Sequence, residues 1–185
     1  MRTMTFTKTL TAAAALVLSA AFVGCGGTED DEFSDGAETG SVGGSFLIPR
    51  SALTADVRQI QVIALKGSRD NTALLQNCQS VNLANKTFSK SDMVKFYDGN
   101  DSSRSFVQNV TADELIAGTQ IKVEVETGTN YVFIVELIAG TSDGGSQVVA
   151  NGSGAYQKVA KGTNKALNIT LSQLSPALTC EPLID

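Results

Sequence analysis

Ile121-Lys122-Val123-Glu124-Val125-Glu126, then Thr127-Gly128-Thr129-Asn130, then Tyr131-Val132-Phe133-Ile134-Val135-Glu136-Leu137-Ile138, is the stretch that decides the fold. Its first six residues alternate apolar and charged. In an extended chain that places Ile121, Val123 and Val125 on one face and Lys122, Glu124 and Glu126 on the other, the pattern of a half-buried strand. Thr, Gly and Asn then interrupt with turn chemistry. The second run is β-branched and aromatic almost throughout and reads as a more completely buried strand. The two runs are expected to pair as a hairpin.

Outward from this pair, further strands are expected at Ser45 to Ile48, Val57 to Leu65, Gln79 to Leu83, Gln147 to Gly154, Tyr156 to Ala160 and Lys165 to Leu171. Clusters such as Lys66-Gly67-Ser68-Arg69-Asp70 and Ser142-Asp143-Gly144-Gly145-Ser146 separate them, because Gly, Asn, Asp and Ser favour turns. One helix has a start signal. Thr111 and Glu114 stand three apart before Leu115 and Ile116, as a capping box requires. The expected fold is all-β, an antiparallel β-sandwich with one short connector helix.

Composition excludes whole classes of chemistry. Among the 185 residues there is no His, which removes Ser-His-Asp and Cys-His catalysis and His-bearing zinc sites. The formal charge of -5, from 14 Lys+Arg against 19 Asp+Glu, argues against a nucleic-acid partner, which needs a basic stripe. The acidity is concentrated. Glu29, Asp30, Asp31, Glu32, Asp35 and Glu38 fall in a Gly- and Ser-rich stretch without a single base, a composition that reads as a flexible tether.

The first residues, MRTMTFTKTLTAAAALVLSAAFVGC, carry Arg2 and Lys8 before an apolar run from Leu10 to Val23. Such a segment is a signal peptide in form, expected as a helix, and too short to span a bilayer core. At its end Phe22-Val23-Gly24-Cys25 resembles the lipobox of bacterial lipoproteins, although Phe22 stands where Leu is usual. The resemblance implies cleavage between Gly24 and Cys25 and a diacylglycerol thioether on Cys25. It divides the chain into a signal peptide (1–24), a lipidated Cys with an acidic tether (25–43) and a sandwich domain (44–185). Gly26, in place of Asp, is similar to lipoproteins sent on to an outer membrane, so the expected location is the cell envelope. The implied partners are the membrane, through the lipid on Cys25, and a protein or glycan at the cell surface.

The order of Gln59-Ile60-Gln61-Val62, Gly128 to Val135, Val149 to Gly154 and Gly162 to Leu171 resembles the immunoglobulin-like or prealbumin-like modules of secreted bacterial lipoproteins, in which a G-x-x-Y turn leads into a core strand. Against that pattern, Cys78 to Met93 and Phe96 to Gly118 stand out as insertions. With Cys25 taken by lipid, Cys78 and Cys180 remain as an even pair; a disulfide is expected, with two buried free thiols as the alternative.

Site chemistry is sparse. Asp98, Asn100 and Asp101 bring oxygen ligands together but lack the spacing and distal Glu of a calcium loop, so a turn bonded to its own backbone is the competing reading. Phe96, Tyr97 and Phe106 are candidates for a sugar platform or for core anchors. Ser89-Lys90-Ser91 lacks the frame of a Ser-Lys nucleophile, and Glu124 with Glu126 shows what any solvated sheet face shows. No cofactor is implied. The expected protein is not an enzyme but a lipid-anchored module with a structural, adhesion or binding role, or alternatively a carbohydrate- or calcium-binding accessory module.

Overall fold

The computed structural model describes residues 38–54, 56–99, 101–118 and 120–183. The expected signal-peptide helix, the lipobox and the acidic stretch through residue 37 lie outside them, as does Asn100. The strands are β1 (Thr39–Leu47), β2 (Val57–Lys66), β3 (Phe96–Asp98), β4 (Asp101–Ser103), β5 (Phe106–Asn109), β6 (Ile121–Glu126), β7 (Gly128–Gly140), β8 (Ser146–Val159), β9 (Gly162–Thr163), β10 (Leu167–Thr170) and β11 (Ser172–Thr179). Among the described residues three short α-helices accompany them: α1 (Asn71–Leu75), α2 (Gln79–Ala84) and α3 (Ala112–Ile116).

The strands form two sheets. One runs β10-β1-β6-β3-β4 with β9 also on β1, the other β11-β8-β7-β2-β5. The pairing is antiparallel except where β1 meets β10 and β9 in parallel. The all-β sandwich expected from the strand periodicity is therefore present, and Thr111 and Glu114 close the capping box that starts α3.

Between the sheets lies one core. Val42, Ile121, Val123, Val125, Leu167 and Ile169 from the first sheet meet Ile60, Val62, Ala64, Tyr131, Phe133, Val135 and Leu137 from the second. The alternating residues of β6 supply one face to it, as their period demands. β7 differs, since every residue from Tyr131 to Gly140 is buried. Its even-numbered residues face a second cluster, in which Ile63, Leu65, Val132 and Ile134 are covered by Leu74, Phe88, Met93 and Leu183. A cap of α1, α2 and the segment at Leu183 thus closes the outer face of this sheet.

Several expectations need correction. β6 and β7 do not form a hairpin: β6 pairs with β1 and β3, β7 with β2 and β8. The chain passes from one sheet to the other at Thr127, since Gly128 already pairs with Val159, so the apolar face of β6 looks across the core at β7 rather than lying beside it. Tyr131 fastens that corner. Its hydroxyl donates to the carbonyls of Thr127 at 3.0 Å and Glu126 at 3.3 Å, the tyrosine-corner arrangement of Greek-key sandwiches. Gly128 is required there because a β-carbon on it would fall 2.0 Å from the Tyr131 hydroxyl.

Gln79 to Leu83, expected as a strand, is helix α2. Its alternation of Val81 and Leu83 with polar residues is overridden because Gln79 and Asn82, one helical turn apart, turn inward and donate to the carbonyl of Leu74. The strands expected at Gln147 to Gly154 and Tyr156 to Ala160 are one strand, β8. The sheet also begins earlier than composition suggested: Thr39 to Gly43, read as tether, pair with β6 from Thr39 opposite Glu126 onward.

Candidate functional site

The expected site residues separate into a bond, a turn and a groove. Cys78 and Cys180 are joined in a disulfide with Cα atoms 6.5 Å apart, inside the range such bonds require. It ties the start of α2 to the chain beyond β11. Asp98 and Asp101 face one another across the β3–β4 hairpin, with Gly99 in the left-handed region at φ 61 between them. That is the geometry of a tight hairpin turn. Among the described residues no three His, Cys, Asp or Glu side chains gather where they could hold a metal ion.

The same hairpin walls a groove of about 620 Å³ at the open edge of the sandwich. β3 and β4, with Lys122, Val123 and Glu124 of β6, form one side, and Ser105, Phe106 and Val107 form the other. It exists because β3 is short. β3 reaches only Val125 and Glu124 on β6, which leaves Ile121 to Val123 without a strand neighbour on that side among the described residues. Phe96 and Phe106 pack at its base with ring centroids 6.5 Å apart and a 34° tilt. Among the described residues around the rim, Asp98, Asp101 and Glu124 stand against a single cation, Lys122. Tyr97 is half-buried beside them, and desolvation together with the charge of Glu126 holds its hydroxyl above its usual pKa.

The groove unites residues the sequence offered separately: Asp98, Asp101, Glu124 and the aromatics Phe96, Tyr97 and Phe106. It does not include Glu126, whose carboxylate pairs with Lys66 at 3.4 Å. Ser89 does structural work as well. It takes part in a capping box with Asp92 ahead of a 3-10 turn, and this contact, with Arg69 nearby, lowers the Asp92 pKa.

One constellation was missed by sequence reasoning. Gln61, Glu136 and Asn151 lie in register across β2, β7 and β8, all buried and all on the capped face. Gln61 binds Leu183 in both directions, its amide donating to the carbonyl at 2.7 Å and its oxygen accepting from the N–H at 3.1 Å. Glu136 accepts from the Gln79 N–H, and Asn151 donates to the Leu75 carbonyl at 2.9 Å. Burial pushes the Glu136 carboxyl up to about 7, against the opposing pull of the Gln79 hydrogen bond. The sequence signal was there: Glu136 is the one charge inside an apolar strand.

No known protein family, curated protein or solved structure matches this chain. Among the described residues no helix is long and apolar enough to cross a membrane.

Proposed function

We propose that the protein is a non-enzymatic lipoprotein of the bacterial cell envelope, anchored to the outer membrane through lipid on Cys25, whose sandwich binds a protein or glycan partner through the edge groove. The observation that carries this is the cysteine arithmetic. Of three cysteines, Cys78 and Cys180 are bonded to each other, and Cys25 is the odd one, standing directly after Gly24 at the end of a basic-then-apolar leader. A disulfide accords with an oxidising compartment, and a thiol at the end of such a leader accords with lipidation. Each buried methylene of the lipid contributes about 0.8 kcal/mol, so two or three chains hold the protein without a transmembrane helix. The Tyr131 corner favours the immunoglobulin-like form of the sandwich.

The test is mass spectrometry of the mature protein with membrane fractionation, with and without a globomycin-type inhibitor of lipoprotein processing. An acylated N-terminus at Cys25, and release to the soluble fraction on Cys25→Ser, are expected. Recovery from cytosol with Met1 in place and a bare Cys25 thiol would refute the reading. The alternative of a calcium-binding module draws less support, because among the described residues Asp98 and Asp101 gather no third carboxylate where the ion could be held. Calorimetry at millimolar calcium is expected to give no heat.

A further inference from the structure

We propose that the groove receives an extended, lysine-bearing peptide that adds as a strand to the free edge of β5. This rests on the reading of the protein as a binding module and names the class of partner for the same groove. Val110 donates to the Arg58 carbonyl at 2.9 Å, and in the antiparallel register Gln108 lies opposite Ile60 and Phe106 opposite Val62. Hydrogen-bonded pairs in such a ladder alternate with pairs whose main-chain groups turn away. The N–H and C=O of Val107 and Asn109 therefore point away from β2, and among the described residues β5 is the last strand of its sheet.

An edge of this kind templates another chain unless something blunts it. At the opposite edge of the sheet β11 carries Pro176, and its register against β8 is broken. β5 has neither device. Its residues Phe106-Val107-Gln108-Asn109 contain no Pro or Lys, its pairing with β2 is unbroken, and Val107 is 39% exposed.

Charge selects the occupant. Asp98, Asp101 and Glu124 outnumber Lys122 around the groove, so a cationic strand is attracted and an acidic one repelled. The chain's own stretch from Glu29 to Glu38 has six acids and no base, which opposes its insertion, and a second copy would bring the same three acids to the contact. A glycan finds less to hold, because Phe96 is buried and tilted against Phe106 rather than offering a flat open ring.

The experiment titrates the full-length chain into a fluorescein-labelled peptide alternating Lys with Val and Thr and reads anisotropy. Saturable binding is expected, weakened about tenfold or more when Glu replaces Lys or when alternate amides are N-methylated. Val107→Pro removes an outward donor while sparing the ladder groups of Phe106 and Gln108; it is expected to weaken binding about tenfold with the melting temperature kept. Val107→Lys keeps the donor and is expected to weaken the Lys peptide and strengthen the Glu peptide. Undiminished binding of the N-methylated peptide, or by Val107→Pro, overturns the proposal. Should the peptide fail to bind while chito- or cello-oligosaccharide shifts the amide resonances of Val107 and Lys122, the peptide class is wrong and the groove remains a site. Silence towards both removes the groove as a binding site.

Discussion

The Glu136 carboxyl group accepts a hydrogen bond from the Gln79 backbone N–H at 3.1 Å, so a side chain at the centre of β7 satisfies a free donor at the start of α2. Cys78, the residue in the N-cap position, makes no such bond with its own side chain, because its sulfur is bonded to Cys180. The neighbours of Glu136 across the sheet act in parallel, Gln61 on the C-terminal segment and Asn151 on the end of α1. One buried polar row thus positions three separate pieces of the cap.

Stability is expected to fall as pH rises through the range set by Glu136. Burial lifts its pKa from 4.5 to about 7, so between those values the folded protein keeps a proton that the unfolded chain has lost. The stabilisation is complete below the lower value and lost above the upper one, a difference on the order of 3 kcal/mol. Asp92 and Asp143 are held low by their contacts with Ser89 and Thr141, so their influence is confined to more acid conditions. Urea midpoints at pH 5 and pH 8 check this. Glu136→Gln is expected to flatten the profile, and a wild-type midpoint that rises towards pH 8 would contradict the assignment.

Gln61→Leu is expected to cost about 1 to 3 kcal/mol, since it leaves the buried Leu183 N–H unsatisfied while the Leu183 carbonyl keeps the Ser105 hydroxyl at 2.9 Å. Hydrogen exchange should show the loss concentrated at the Leu183 amide. Unchanged protection there would mean that the disulfide and the Ser80 and Ser105 hydroxyls hold the segment without Gln61.

Tyr131→Phe should cost about 1 to 2 kcal/mol by removing the hydroxyl that clasps the corner. Gly128→Ala is expected to cost more, because the new methyl group collides with that hydroxyl. In the double variant the clash is eased, so the two effects should sum to more than the measured loss. Strict additivity by denaturant unfolding would show that the two residues are not coupled.

Cys78→Ser, Cys180→Ser or reduction of the bond is expected to cost about 4 to 5 kcal/mol in the chain-entropy account, given the 102-residue separation it closes. Peptide mapping without reductant should recover the two cysteines linked. Reduced protein should lose amide protection in Gln79–Ala84 before the strands that enclose the main core.

Much of this was legible in the chain. The two-residue period of Ile121 to Glu126 determined which side chains enter the core, and the capping box at Thr111 determined a helix start, because both depend on near neighbours alone. The unbroken apolar run of β7 announced burial on both faces. The disulfide was legible only as arithmetic, and of the groove the sequence showed only its parts.

What covers the second face of β7 was decided by the tertiary structure. So were the partner of β6 and the meeting of Asp98 with Val107 around one groove. A strand's period states which face is apolar but carries nothing about which strand lies alongside, since main-chain hydrogen bonds are the same for any partner. Hence Thr127 to Asn130 looked like a hairpin turn, whereas the chain changes sheet at Thr127 and Gly128 already opens β7. Helix α2 makes the same point, for its inward residues are amides, and only their contact with the Leu74 carbonyl explains why polar groups are buried there.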